Sequence, residues 1–464
     1  MHNKQVLAAT GVIFKTMPLK LKHIITFFIL LGGSAGVFAQ DSTLVGKTLK
    51  WDLAQCIDYA KKNNIQINSL RLSQQTSQQE YLLAKAGRLP DLSATGSQTF
   101  AHGNNFSNGD NGRHSGYNVS GSYGLSSNIT LYNGSYINNN ISQKNLQVQS
   151  ANLSILQQEN DITLQITQAY LTVLLDKESV IYNTDLLNTT QAQVKLQQQR
   201  YNVGSVARKD LIQLQAQQAT DQYTLVNSQN AVRNDMLTLK QLLVLPTDVS
   251  FDIAKPDTVI APIDNVASFP EAEQTALQNR PEVKNGELGV KIAQFDVDKA
   301  KAGYKPTLTA GASLNTGYAN GQGVSFGNQI NNNFYQQVGL NLSIPIFTKR
   351  VVKTQVEEAK INVKQLQLDL KNTRITLSQT VERSFINVQN ARSQYDAAAE
   401  EYKYSKESYR IASEQLKVGV ANTVDFLLQK NLFVQAQQSF VQAKYNALLT
   451  LKIYDFYRGV PITL

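Results

Sequence analysis

Arg200-Tyr201-Asn202-Val203-Gly204-Ser205-Val206-Ala207-Arg208-Lys209-Asp210-Leu211 lies between two long runs of helical pattern. A glycine that tolerates positive φ ends one helix, and a short stretch with an aspartate opens the next. The stretch has an echo at Leu416-Lys417-Val418-Gly419-Val420-Ala421-Asn422-Thr423-Val424-Asp425-Phe426. Gly204 matches Gly419 and Asp210 matches Asp425, both at an offset of 215 residues. The pattern predicts the tip of a tight helical hairpin, used twice.

A second matched pair supports a duplication. Ala84-Lys85-Ala86-Gly87-Arg88-Leu89-Pro90 recurs as Ala300-Lys301-Ala302-Gly303-Tyr304-Lys305-Pro306, offset by 216. Each proline disfavours helix at the residue before it, so helix gives way to extended chain. Two such pairs at nearly one offset predict two halves of about 215 residues.

Beyond each proline the period becomes two. Tyr117, Val119, Tyr123, Leu125, Ile129 and Leu131 alternate with small polar residues, preceded by a weaker strand from Leu92 to Phe100. In the second half, Leu308 to Leu314 and Phe334 to Ile346 repeat the pattern. Gly/Asn-rich loops, Gly103–Gly116 and Gly317–Asn333, separate the strands of each pair. After Asp91 the four strands hold no Lys, Arg, Asp or Glu. Strands of about ten residues with one apolar and one uncharged polar face suit a tilted crossing of a bilayer. A soluble antiparallel sheet with one buried face is the other reading.

A long helix is predicted from Gly134 to Tyr201 and another from Lys349 to about Leu416. In the first, Ile141, Val148, Ile155, Ile162 and Ala169 form one row at seven-residue steps. Ile166, Val173, Val180, Leu187, Val194 and Tyr201 form the partner row. That is a coiled-coil seam, on the order of 100 Å long at 1.5 Å per residue. In the second, apolar positions from Val352 to Val388 step by three or four. Shorter helices return at Ala207–Leu245 and Asn422–Tyr457, and others precede the strands at Asp52–Arg88 and Glu282–Gly303. Short helices stacked end to end beside each long one would make up the missing length.

The domains follow: a signal region over 1–40, a first repeat over 41–245, a connection over 246–281, a second repeat over 282–457 and a tail over 458–464. In the signal region Lys20, Lys22 and His23 precede the apolar run Ile24–Leu31, and Val37-Phe38-Ala39 suits cleavage. Met17 is the alternative start. The connection holds five of the ten prolines. The 464-residue chain carries a net charge of +9, of which four lysines belong to the leader, leaving +5. Charged residues are 17% of the chain, with no compact basic run, which argues against a nucleic-acid partner. No later apolar run reaches the roughly 18–20 residues of a membrane helix.

Four strands cannot close a barrel, since the smallest membrane barrels have about eight. Open edges in lipid would leave backbone groups unpaired. The chain is therefore expected to oligomerise around a shared barrel, with both tips together at the far end of the helices.

Over about Asp52–Tyr457 the chain resembles the TolC-type outer-membrane efflux channels of Gram-negative bacteria. The most specific residues are the tips: Val203-Gly204 with Asp210-Leu211, and Val418-Gly419 with Asp425-Phe426. The resemblance implies an α+β membrane protein, a homotrimer with a shared 12-stranded β-barrel and a periplasmic α-helical tunnel. It implies a passive exit duct for small molecules or proteins, standing in outer-membrane lipid, in a tripartite efflux or type I secretion system. A periplasmic adaptor would dock on the tips, and an inner-membrane transporter would supply energy. The family narrows its entrance at the second tip. Asp425 matches an acidic position there, while Leu428, Ala421 and Leu416 stand where a further Asp, an Arg and a Tyr are found. Closure here would rest on apolar packing. For Asp210 and Asp425, helix capping or a dipole contact is the alternative to gating, and the two roles are compatible.

No residue pattern suggests an enzyme, a metal or a cofactor. His102 and His114 fall in a loop without an acidic cluster, and His2 and His23 precede the mature chain. Gly321-Gln322-Gly323 with Gly327 misses the dinucleotide fingerprint. Cys56 reads as a small apolar core residue. The competing class is an exported coiled-coil stalk or adhesin, which would explain the heptads but not the charge-free strand pairs. A simple porin would need many more strands.

Overall fold

The computed structural model describes residues 49–106, 113–255 and 266–464. The signal region and the middle of the connection lie outside the described residues. Residues within 48–247 and 251–464 form one compact unit, whose elements follow.

β1 (Leu49–Trp51), α1 (Leu53–Asn63) and α2 (Ile65–Ala86) lead into β2 (Ser93–Phe106) and β3 (Arg113–Asn133). Then come α3 (Tyr136–Asn202), the first tip, and α4 (Arg208–Leu242). β4 (Phe251–Ile253) pairs in parallel with β1. The second half runs α5 (Phe269–Asn279), α6 (Pro281–Ala302), β5 (Thr307–Ala319), α7 (Phe326–Asn332), β6 (Tyr335–Ser343), α8 (Val351–Val418), the second tip, and α9 (Thr423–Tyr457).

The helical run predicted over Asp52–Arg88 is two helices. Asn64 leaves helical geometry (ψ 130°), and its side chain accepts from the N–H groups of Gln66 and Ile67 to cap α2. The second half breaks at Arg280 (ψ 134°), where Pro281 opens α6. In both halves helices of 11, 22 and 35 residues together match the length of the long helix to within one residue. α1, α2 and α4 pack along α3, while α5, α6 and α9 pack along α8. α3 has 67 residues and α8 has 68.

Gly103–Gly116 is less of a loop than its composition predicts. Strand pairing continues to Phe106↔Arg113, which brings Arg113 into β3. Asn and Gly fit these outer ends because each residue keeps a ladder partner on the neighbouring strand. Gly317–Asn333 contains α7, where Gln329 accepts from the Ala319 N–H (2.8 Å) and donates to the Val324 carbonyl (2.8 Å). β6 stops at Ser343, short of the expected Ile346.

The four long strands form one antiparallel sheet ordered β2-β3-β5-β6. Its register separates two faces. Ala94↔Leu125, Phe100↔Val119, Leu125↔Leu314, Leu308↔Leu342 and Ala310↔Leu340 lie on one face. Ser93↔Ser126 and Ser97↔Ser122 lie on the other, with hydroxyls 2.9 and 2.7 Å apart.

The main core lies where α1, α3 and the ends of α4 and α9 meet β4, around Leu53, Ile166, Tyr170, Leu239 and Val441. Tyr170 donates to the Ala254 carbonyl (2.6 Å) and so fastens the β1–β4 ribbon to α3. Cys56 is buried there, and burial followed by the Asp52 charge raises its thiol to about 12, so it is an inert core thiol. Among the described residues no helix is long and apolar enough to cross a membrane.

Candidate functional site

Both tips have the same backbone. Gly204 (φ +73°) and Gly419 (φ +80°) take the left-handed conformation. The Ser205 N–H bonds the Arg200 carbonyl and the Val420 N–H bonds the Gln415 carbonyl, each at 2.9 Å. These six-to-one bonds close the last turns of α3 and α8 as Schellman caps. On the exit side Asn422 caps α9 by accepting from the Asp425 N–H (2.8 Å). Ala207 opens α4 without a side-chain cap. Asp210 and Asp425 both stand in first turns, where a carboxylate complements the helix dipole, and neither is the cap itself.

The sequence-predicted tip residues divide by depth. Val203 (79% exposed), Gly204, Val418 (72%) and Gly419 form the exposed apex. Leu211 and Phe426 are buried and anchor the two return helices. Asp210 is half-buried and Asp425 is exposed. Of the entrance residues, Leu428 is exposed and Ala421 half-buried, whereas Leu416 is only 6% exposed. Leu416 packs with Leu214, Ala412 and Phe426 in a cluster that joins the two hairpins. Arg200 reinforces that junction. Its guanidinium donates to the Leu416 carbonyl (2.9 Å) and to the Lys417 carbonyl, satisfying the C-terminal end of α8.

Other features of the helical region escaped the sequence reading. Tyr395, Tyr402 and Tyr409 on α8 alternate with Phe440, Phe433 and Phe426 on α9 as a ladder of six rings. The Tyr402–Phe440 and Tyr409–Phe433 planes lie within 7° and 2° of parallel. Both sets step by seven residues, so the signal was present in the sequence. Lys430 on α9, fully buried, pairs with buried Asp221 on α4. Thr190 on α3 is 2.7 Å from the ammonium, and Gln217 donates to the other carboxylate oxygen (2.9 Å). Burial lowers the Lys430 pKa, and the Asp221 carboxylate opposes that shift. A lone charge in a helical sequence carries no sign of such a partner two hundred residues away.

Nearer the core, Asp176 on α3 faces Asp235 on α4. Burial, then a hydrogen bond and the charge of Asp235, raise the Asp176 carboxyl to about 7, so Asp176 keeps its proton close to neutrality. Burial works against ionisation of Glu178, but Lys444 (2.9 Å), Tyr445 (2.7 Å) and Tyr182 outweigh it and hold its carboxyl below the ordinary range.

At the opposite end the sheet leaves Phe100, Tyr117, Val338, Leu340 and Leu342 exposed on the apolar face. β2 and β6 are its two edges. An uncharged, apolar sheet face beside long helices with exposed hairpin tips is a membrane-channel arrangement, and comparison with known proteins agrees. The sequence model described as "Outer membrane efflux protein" matches residues 56–244 and 273–452. The chain belongs to that family.

Among outer membrane efflux proteins, this chain is 23% identical over 432 residues to BepC of Brucella suis biovar 1, covering 92% of this chain and 88% of that protein. The fold matches the CmeC outer membrane channel of Campylobacter jejuni with a TM-score of 0.75, at 17% identity over 92% of this chain and 91% of that one. VceC from Vibrio cholerae matches with a TM-score of 0.72, at 16% identity over 88% and 96%. The fold is that of an efflux channel with a helical tunnel and a β-barrel, and the chain resides in the outer membrane of a Gram-negative bacterium. Among the described residues no group of three or more His, Cys, Asp or Glu could hold a metal ion.

Proposed function

We propose that this chain is the passive exit duct of a tripartite export system. Three copies close one barrel, and their helices form a tunnel that receives cargo at the tips. The observation that carries the reading is the sheet. Its four strands share one mainly apolar, uncharged face and leave two open edges, β2 and β6. In lipid those edges must be paired, and three copies supply 12 strands.

The adaptor docks on the exposed apex, where Val203, Val418 and Val420 surround the two glycines. Asp425 and Leu428 flank the entrance, and apolar contacts with neighbouring copies narrow it. Leu416 acts from within, by holding the second tip on the first. The energy comes from an inner-membrane transporter.

The test is efflux itself. Gly204→Val and Gly419→Val place a β-branched side chain at φ +73° and +80° with no neighbouring atoms to clash. The strain is confined to the tips. Each variant is expected to reach the outer membrane as a trimer and to lose efflux, read as dye accumulation in cells. Full efflux in both variants would remove the tips from the mechanism.

A further inference from the structure

The strands carry almost no charge, but the place where they meet the long helices is basic. Thr307 lies beside Asn133 on one side and Ser343 on the other, which fixes the helix-side ends of β3, β5 and β6 at one level. Lys305 stands two residues before Thr307. A Cβ built on Gly134 would lie 2.8 Å from the Lys305 Cβ, so the entry to α3 touches Lys305. A Cβ on Gly303 would lie 3.1 Å from Val352, which brings the first turn of α8, with Lys349, Arg350 and Lys353, to the same place. Arg88 reaches Asn138 in the first turn of α3 (2.8 Å). Five exposed cations thus gather at the foot of the sheet; among the described residues none is in a salt bridge, and Glu357, one turn on from Lys353 and within its field, is paired with Lys360. The nearby carboxylate of Asp91 is occupied by the Asn128 N–H (2.5 Å).

The duplication shows that this charge is not demanded by the turn. The strand-to-helix junctions Gly134-Ser135 and Lys349-Arg350 are offset by 215 residues and share one backbone, with φ of 68° and 73° in the first and 47° and 67° in the second. The first half uses glycine for the leading left-handed position, and the second keeps a lysine there at a cost of about 1 kcal/mol. Immediately before it, Ile344, Ile346 and Phe347 are exposed apolar side chains. An apolar segment that runs straight into paired cations matches the order of acyl chain and phosphate in a lipid leaflet.

We propose that this cluster is a binding surface for the phosphate groups of anionic phospholipid in the periplasmic leaflet of the outer membrane. Lys305, Lys349 and Arg350 are its principal contacts. Lysine and arginine take phosphate oxygens by charge-assisted hydrogen bonds, and the uncharged strands above fix the depth of the headgroups. The proposal rests on the strands lying in lipid, as the channel reading requires.

The experiment uses the full chain, purified in detergent and titrated with phosphatidylglycerol or phosphatidylethanolamine, with bound lipid counted by native mass spectrometry. The variant is Lys305→Gln/Lys349→Gln/Arg350→Gln. Its control is Lys209→Gln/Lys417→Gln at the tips. Wild type and control are expected to retain phosphatidylglycerol in preference to phosphatidylethanolamine. The triple variant should lose on the order of 100-fold in that binding, from a factor of about five per cation. A conservative Lys305→Arg/Lys349→Arg chain should keep it. Equal phosphatidylglycerol binding by wild type and triple variant would overturn the proposal. So would displacement by millimolar inorganic phosphate, which would mark a free-anion site, or selective retention of peptidoglycan fragments instead of lipid. Loss of every form from the outer-membrane fraction would instead count against the strands lying in lipid.

Discussion

The two hairpins of this channel have the same length and the same turn but are held together differently. In α8–α9 the junction toward the tip is the six-ring ladder from Tyr395 to Phe426. In α3–α4 the corresponding stretch buries Thr190, Gln193, Gln197 and Asp221 beside Leu186, Leu187 and Leu225. Ring stacking is insensitive to pH and fixes register through shape. Across α3 and α4 Thr190 donates to Asp221 (2.6 Å), while Gln193 donates to Ser413 on α8 and Asp221 pairs with Lys430 on α9, so these polar groups look partly to the second hairpin and need each partner in place. The second hairpin is therefore expected to be the stiffer rod, and the first is tied to it through Lys430–Asp221 and Arg200.

The largest effect should come from breaking that dependence. Lys430→Met leaves the Asp221 carboxylate buried and unpaired, at a cost of about 3–5 kcal/mol. Adding Asp221→Leu should recover most of the loss, as read by thermal denaturation. Equal instability of the single and double variants would show that the pair does not join the hairpins. Next, Phe433→Ala removes two stacking contacts and should cost about 3–5 kcal/mol. Hydrogen exchange should then speed up over 395–440 and stay slow over α4; acceleration confined to α4 would reverse the assignment of the stiffer rod.

Smaller effects follow at the tip and near the core. Arg200→Ala removes two bonds to the α8 terminus and should cost about 1–3 kcal/mol, seen as faster exchange at 414–421 with the strands unaffected. Asp176→Asn should act through pH. The raised folded pKa means that the native state holds a proton the unfolded chain has lost, so stability falls as pH rises from about 4 to about 7. Relative to wild type, the amide variant should melt a few degrees higher at pH 8 and show no gain at pH 4. A gain that is the same at both values would mean that folding does not raise the Asp176 pKa.

Much of this architecture was legible in the sequence because it is repeated and periodic. Gly204 and Gly419 fixed the tips, Pro90 and Pro306 the helix-to-strand changes, and the seven-residue rows the long helices. Strand faces were readable from a period of two because lipid and water select opposite residue types. The helix break at Asn64 was not, since asparagine is tolerated within helices and acts as a cap only once its φ and ψ are known. The outer extension of β2 and β3 was hidden because Asn and Gly signal loops, and only strand pairing overrides them. Leu416 illustrates the limit at the candidate site. The family resemblance sets it at the entrance, and only the structure shows that its side chain packs in the cluster around Phe426 between the hairpins.

We propose that the two glycine tips are the docking end of an outer-membrane duct. Photo-crosslinking in living cells tests it most directly, with a photoreactive residue at Val203, at Val418, or at Leu340 on the strand face. Crosslinks to a periplasmic adaptor are expected from Val203 and Val418 and none from Leu340. Adaptor crosslinks absent from both tips, in cells where efflux is intact, would contradict it.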